Sequence, residues 1–207
     1  MRAVYTKTGL LVYLSHLDIV RIVERAMRRA GIQMTYTEGF HPMAKITFSP
    51  PISLGMTSYG EVLEAHLVEE IDAGEFAERM NACLPPGCEI LSAKGLNESD
   101  KKMSKCTMYA TYDIMLERAP DADFLKQIIA SEECLVIKKN KKGRDVQIDI
   151  RDKIAALRAT RQGFEAELNA SHEAMLSPVL LLTYMKSRNP DMPQVTGIIK
   201  KKVEIME

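Results

Sequence analysis

Arg21, Arg25, Arg28 and Arg29 crowd one short stretch that contains no lysine. On a helix the first three, at i, i+4 and i+7, form a single stripe, with Arg29 at its edge. The planar guanidinium fork suits phosphate or carboxylate better than general solubility does. The plainer reading is a solvated face on which Glu24 pairs with Arg28 across one turn. Just beyond lies Glu38-Gly39-Phe40-His41-Pro42, in which Gly39 relaxes the backbone and Pro42 fixes it. Phe40, with Tyr36 before it, offers a ring that stacks on a nucleobase or folds inward over the helix. His16 and His41 are the histidines nearest the stripe. An imidazole titrating near pH ~6.5 serves as a general base or as a structural hydrogen-bonder. With His16 as base, Lys45 and Tyr59 are the residues placed to assist it.

A second basic feature is Lys138-Lys139-Asn140-Lys141-Lys142-Gly143-Arg144. At a hairpin tip it projects basic charge into solvent, either to keep a sheet edge from aggregating or to meet a phosphate backbone through Lys139, Lys141 and Lys142. Four contacts to a single strand imply a slope of about −3 in log K against log salt. The polar run Gly55-Met56-Thr57-Ser58-Tyr59-Gly60-Glu61 lacks the spacing of a phosphate-binding loop or a dinucleotide fingerprint, and is read as a loop between strands. No HExxH, nucleophile elbow or paired-carboxylate signature occurs. Cys83, Cys88, Cys106 and Cys134 have no CxxC spacing and read as structural thiols, not as an iron–sulfur or other metal site. No cofactor is expected.

These residues need a scaffold. Arg2–Lys7 alternates as a strand, and a turn at Thr8-Gly9 leads into the apolar stretch Leu10–Leu14. Ser15 caps a helix, with Asp18 completing an acidic capping box. Ile19, Ile22, Val23, Ala26 and Ala30 recur at helical spacing, and Gly31 ends the helix. Strands are expected at 45–50 and 61–68, a helix over 72–84 and a closing strand at 88–93. The polar stretch 97–105 has linker composition. A second pass follows: strand 108–116, helix 121–131, a hairpin 134–150, strands 154–160 and 164–170, a helix from Pro178 to Lys186 and a strand 197–206. The expected fold is α+β: two ferredoxin-like (βαββαβ) units in tandem, residues 1–97 and 106–207, the second with an extra β-hairpin.

The chain has 207 residues, 46% hydrophobic and 27% charged, which describes an ordinary globular protein with no membrane partner. The start of the chain has no long apolar core or small-residue cleavage site, so a cytoplasmic location is expected. Net charge is zero, against a strongly electrostatic nucleic-acid binder. Its distribution is uneven, however. Residues 1–60 carry seven Lys/Arg against three acids, and residues 61–99 carry nine acids against Arg79 and Lys94. A basic face and an acidic face serve different partners.

The pattern SHLDxxRxxxRAxRRAGI from Ser15, followed by the Tyr36–Pro42 loop, Lys45-Ile46-Thr47-Phe48 and Gly55-x-x-Ser58-x-Gly60-Glu61, resembles the radical SAM-linked protein family. That family is a domain of unknown function encoded beside, or fused behind, a cobalamin-type radical SAM protein. The family loop reads GFNPHPK where this chain has Gly39-Phe40-His41-Pro42-Met43-Ala44-Lys45, so Gly39, Phe40, Pro42 and Lys45 are the matching positions. The resemblance implies a radical SAM protein as partner and no established reaction. At fold level alone, the tandem reading is similar to the repeat-associated RNA-binding proteins of CRISPR systems, among them RNA-processing endonucleases. The leading expectation is a non-catalytic module that binds RNA, or presents a substrate, for a radical SAM enzyme. Arg21, Arg25, Arg28 and Arg29 hold phosphate, Tyr36 and Phe40 stack, and His16, His41 and Lys45 orient the ligand. The alternatives are a metal-independent ribonuclease using His16, Lys45 and Tyr59, and a protein-interaction adaptor without RNA contact.

Overall fold

In a computed structural model that describes residues 1–97, 99–139 and 143–206, the chain is a mixed α+β protein with mostly antiparallel strands. It divides into two compact units, Met1–Cys106 with Ile205–Glu207, and Thr107–Glu204.

The first unit is built from β1 (Arg2–Lys7), α1 (His16–Arg29), β2 (Ile46–Phe48), β3 (Thr57–Ala65), α2 (Ala73–Asn81) and β4 (Ile90–Lys94). Its strands lie in the order β4-β1-β3, with β2 also paired to β3, and each of these pairings is antiparallel. The helix α1 forms where local chemistry dictates. Ser15 Oγ accepts from the Asp18 amide at 3.2 Å, and the Asp18 carboxylate accepts from the Ser15 amide at 3.2 Å. Such a cap contributes about 1 kcal/mol. Ile19, Val23, Ala26 and Met27 are the buried stripe. The helix stops because Gly31 takes φ +67°, letting its amide reach Arg28 O and that of Ile32 reach Met27 O. Val23, Ala26, Met27, Leu63, Phe76 and Met80 are wholly buried and form the centre of this core.

Two segments differ from expectation. The stretch Leu10–Leu14 winds as a 3₁₀ helix over Gly9–Tyr13, burying Leu11 and Val12. The polar run after Gly55 is not a loop beyond Met56, because β3 begins at Thr57. That strand is buried along most of its length, so its polar residues pair across β1 instead of facing water. Tyr5 lies opposite Glu61 and Lys7 opposite Ser58. Two steps along β1 therefore face three along β3, a bulge that carries Tyr59 and Gly60. The stretch following Asn97 is tied to the first unit: Met103 is wholly buried and its amide donates to Glu64 at 3.2 Å.

The second unit comprises β5 (Thr107–Leu116), α3 (Ala122–Ala130), β6 (Leu135–Lys139), β7 (Asp145–Asp149), β8 (Ile154–Thr160), β9 (Gly163–Asn169), α4 (Pro178–Arg188) and β10 (Val195–Met206). Its strand order is β10-β5-β9-β8, and β6 and β7 pair with each other as a separate hairpin. In β9, Phe164, Ala166 and Leu168 are buried while Glu165 and Glu167 bind Arg158 at 3.1 and 3.4 Å. The alternation is that of a strand with one face packed and one face polar. Ser177 caps α4, whose Pro178 occupies the first turn, where its missing amide is tolerated.

Candidate functional site

All four arginines of α1 are exposed, pointing away from the buried stripe. Arg21 meets Asp18 at 3.4 Å, Arg28 meets Glu24 at 3.7 Å, and Arg29 donates to Cys83 O. Among the described residues Arg25 makes no hydrogen bond or ion pair. Exposed ion pairs of this kind contribute ~0–1 kcal/mol, so a polyanion displaces them at little cost. Hydrogen bonds from the Ser15 hydroxyl and amide hold Asp18 below the usual carboxylate range, with Arg21 adding to the effect.

Beyond α1 the chain projects a finger from Thr35 to Lys45. Its two limbs are held by Lys45 N to Thr35 O and Thr37 N to Met43 O, both 2.9 Å, and by Met43 N to Thr37 Oγ1 at 3.0 Å. Gly39 turns the tip at φ +124°, with nothing near its missing side chain. Phe40 at that tip is fully exposed, at 102%. Neither ring of this segment folds over the helix: Tyr36 is exposed too, as are His41, Met43 and Lys45. Lys45 also lines a cleft of about 640 Å³ with Thr35, Glu64, His66 and Asp100.

His16 lies elsewhere. At the first position of α1 it is half-buried, edge-on to Phe48 with ring centroids 5.4 Å apart. Phe48 in turn meets Tyr5 edge-on at 6.3 Å. Beside these rings lie Lys7 and Glu61, only 5% and 3% exposed. Lys7 Nζ donates to Leu14 O at 2.9 Å, clamping the end of the 3₁₀ helix. Burial lowers the Lys7 ammonium from its ordinary value, and the Glu61 carboxylate opposes that. Tyr5 is pushed well above the usual phenol range, by burial first and then by Glu61 and Cys88. Burial alone raises the Cys88 thiol to about 12, so it stays protonated and inert.

His16 itself is lowered by burial, pulled back up by Glu61 and lowered further by Lys7. Its neutral form is therefore favoured in the folded chain. In the unfolded chain the imidazole titrates near pH ~6.5. Below that pH the unfolded state gains a proton that the folded state resists, so stability falls as pH drops toward the lowered folded value. Above it His16 contributes no slope. Urea midpoints at pH 5.5 and 7.5 are expected to differ less in His16→Gln than in the parent protein. An identical difference would place the titration elsewhere.

The structure thus joins His16 to Tyr5, Lys7 and Glu61, while Lys45 shares its cleft with Glu64 and His66. Tyr59 is half-exposed on the β3 bulge, two residues before Glu61. Sequence spacing did not single out Lys7, Tyr5 or Glu61 as partners of His16. The available signals were Lys7 closing the alternating run of β1 and Glu61 closing the Gly55–Glu61 motif. In the second unit Lys139 is exposed at the end of β6, opposite Asp145. Lys141 and Lys142 lie outside the described residues. Among the described residues no cluster of three or more His, Cys, Asp or Glu side chains is arranged to hold a metal, and no helix is long and apolar enough to cross a membrane.

Residues 1–180 match a family described as an uncharacterized protein conserved in bacteria (DUF2344). No curated protein matches the chain.

Proposed function

The chain belongs to this conserved bacterial family, and we propose that it is a non-catalytic module that holds single-stranded RNA and presents it to a radical SAM enzyme. The observation that carries the reading is the exposed arginine face of α1, with Arg25 unengaged among the described residues and neighbouring pairs weak enough to exchange for phosphate. The Phe40 finger supports it by offering a ring that is fully exposed among the described residues. The radical SAM partner rests on the resemblance carried by Ser15–Glu61.

Each unit is read as ferredoxin-like. The order β4-β1-β3 with β2 on β3 in the first unit supports that reading, as does the order β10-β5-β9-β8 in the second. The β6–β7 hairpin is then an insertion, and a cytoplasmic setting suits a protein that handles RNA.

Charge reversal tests the arginine face. The double variant Arg25→Glu/Arg28→Glu is expected to bind a single-stranded 12-mer at least about 10-fold more weakly. Its salt slope should fall from about −3 to about −1.5 as two phosphate contacts are lost. Circular dichroism should show an intact fold, since both side chains are exposed. Undiminished binding by a folded double variant would sink the assignment. The same RNA, incubated with the parent protein in chelator, is expected to remain intact. Specific cleavage that disappears in His16→Ala would instead favour the ribonuclease, for which the His16–Lys7–Glu61 cluster is the supporting observation.

A further inference from the structure

The register of the first unit puts its cleft in line with β1. Arg2 pairs with Glu64 of β3 on one side and with Lys94 of β4 on the other. Met1 still bonds β3, its nitrogen donating to Ala65 O at 2.9 Å and its carbonyl accepting from Ala65 N at 2.8 Å. Past that pair the flanking chains run on. Residues 64–71 line one side of the cleft of about 640 Å³, and Gly95, Leu96 and Asn97 line the other. Because β1 lies between β3 and β4, the two walls start two strand spacings apart, about 10 Å. That is the room one further strand needs.

One wall is an open strand edge. Thr35 N donates to His66 O and Val68 N to Gln33 O, both at 2.9 Å. These bonds turn the intervening Leu67 amide and carbonyl the other way, to the side on which Ala65 meets Met1. Among the described residues neither Leu67 group makes a hydrogen bond. An edge of this kind is a template for pairing with another chain. The two faces of the slot differ. Leu67 and Ile71 pack against the apolar core on the helix side. Alternation along β3 puts Glu64 and His66 on the opposite face, and Lys45 and Lys102 join them in lining the cleft. The carboxylates there are already matched: Glu64 by Arg2 at 3.0 Å, and Asp100 by Lys94 at 3.7 Å and the Asn97 amide at 2.6 Å. Lys45 and Lys102 are exposed and make no ion pair among the described residues. Glu69 and Glu70 stand exposed at the far end.

We propose that this cleft takes an extended segment of a partner protein as an added strand, antiparallel to β3 and with its C-terminal end toward Met1. Its residues alternate, apolar toward Leu67 and Ile71 and acidic toward Lys45 and Lys102, with a basic residue near Glu69 and Glu70. A nucleic-acid strand fits the slot poorly. Its sugar-phosphate backbone has no N–H to meet the Leu67 carbonyl, and its phosphates would face Glu69 and Glu70. The inference assigns Lys45 to the peptide and is independent of RNA binding by α1.

The probe is a pentapeptide with blocked termini, Lys-Val-Glu-Val-Glu, titrated into the full chain. Saturable binding is expected below about 1 mM. Exchange of the Leu67 amide proton, followed by NMR, should slow by about 10-fold or more at saturation. N-methylation of the second valine, which is set opposite Leu67, should weaken binding about 10-fold, as should reversal of every charge in the peptide. Lys45→Glu/Lys102→Glu should invert that charge preference, and circular dichroism should show it folded because both side chains are exposed. Absence of saturable binding below about 1 mM overturns the proposal. So does binding that leaves Leu67 exchange unchanged, which makes the cleft a site for side chains alone. Protection of Leu67 by a 12-mer RNA and not by the peptide gives the slot to nucleic acid. If the parent sediments as a dimer that Lys45→Glu/Lys102→Glu converts to monomer, and Leu67 is protected only in the dimer, a second copy fills the slot and the proposal falls.

Discussion

Glu64→Ala is expected to destabilise the protein by about 3–5 kcal/mol, as removal of one partner from a buried ion pair does. Arg2 and Glu64 face each other across β1 and β3 and are both buried. One carboxylate oxygen of Glu64 accepts from Arg2 Nη2 at 3.0 Å, from Arg2 Nε at 3.2 Å and from the Met103 amide at 3.2 Å. The guanidinium also donates to Lys101 O at 2.8 Å. Truncation removes the carboxylate that Arg2 faces across the sheet and frees the amide that pins Met103. The loss therefore spreads from the sheet to the segment crossing it. Glu64→Gln retains an acceptor and should cost less. Arg2→Met/Glu64→Leu removes both charges together and should recover most of the stability. Urea unfolding with an unchanged m value is the measurement. A Glu64→Ala loss below about 1 kcal/mol would show that the pair contributes little.

Gly163→Ala is expected to be the second severe change, at about 3 kcal/mol or more. A methyl group at this position would lie 2.0 Å from Ile114 O and 3.0 Å from Ile114 C, and both are backbone atoms that cannot swing aside. The residue also takes φ +154°, which side chains rarely adopt. It stands opposite Met115 on β5 and closes the β8–β9 turn opposite Thr160. The neighbouring Gln162 O accepts from Leu116 N at 2.7 Å, so any shift of the turn is felt in β5. Gly95→Ala, in open space with no unusual φ, is the control and should change stability by less than about 0.5 kcal/mol. Comparable urea midpoints for the two variants would refute the steric argument.

Local chemistry made much of this fold readable. The capping box at Ser15 and Asp18, the apolar spacing of Ile19, Val23 and Ala26, and the stop at Gly31 are signals contained within α1 itself. The alternation in β9 was legible for the same reason, since one face meets the core and the other meets Arg158. The start of β3 was not. Thr57 to Glu61 carries turn-forming and polar residues, and its strand character comes from pairing with β1, some fifty residues away. The 3₁₀ helix over Gly9–Tyr13 is equally opaque, because a short apolar run has no period that separates strand from helix. For the site, spacing along one helix sufficed to align the arginines. The His16–Lys7–Glu61 group depends on strand register, which composition does not reveal. Phe40 could have turned inward or outward on its sequence alone, and the finger holds it outward.

The bulge between Tyr5 and Lys7 has a bearing on how this region can vary. On a regular ladder Tyr59 would stand opposite Lys7; the additional residue in β3 puts Ser58 there and leaves Tyr59 half-exposed. The arrangement is therefore encoded in chain length as much as in residue identity. Point replacements at Tyr59 or Gly60 leave the count intact, and a single-residue deletion between Ser58 and Glu61 would restore a regular ladder with both flanking pairings kept, whereas a further inserted residue must widen the bulge or slip one limb of β3 against β1. Loss of one codon here therefore flattens the strand and keeps Lys7 and Glu61 where they are, whereas gain of one codon pulls their partners out of register.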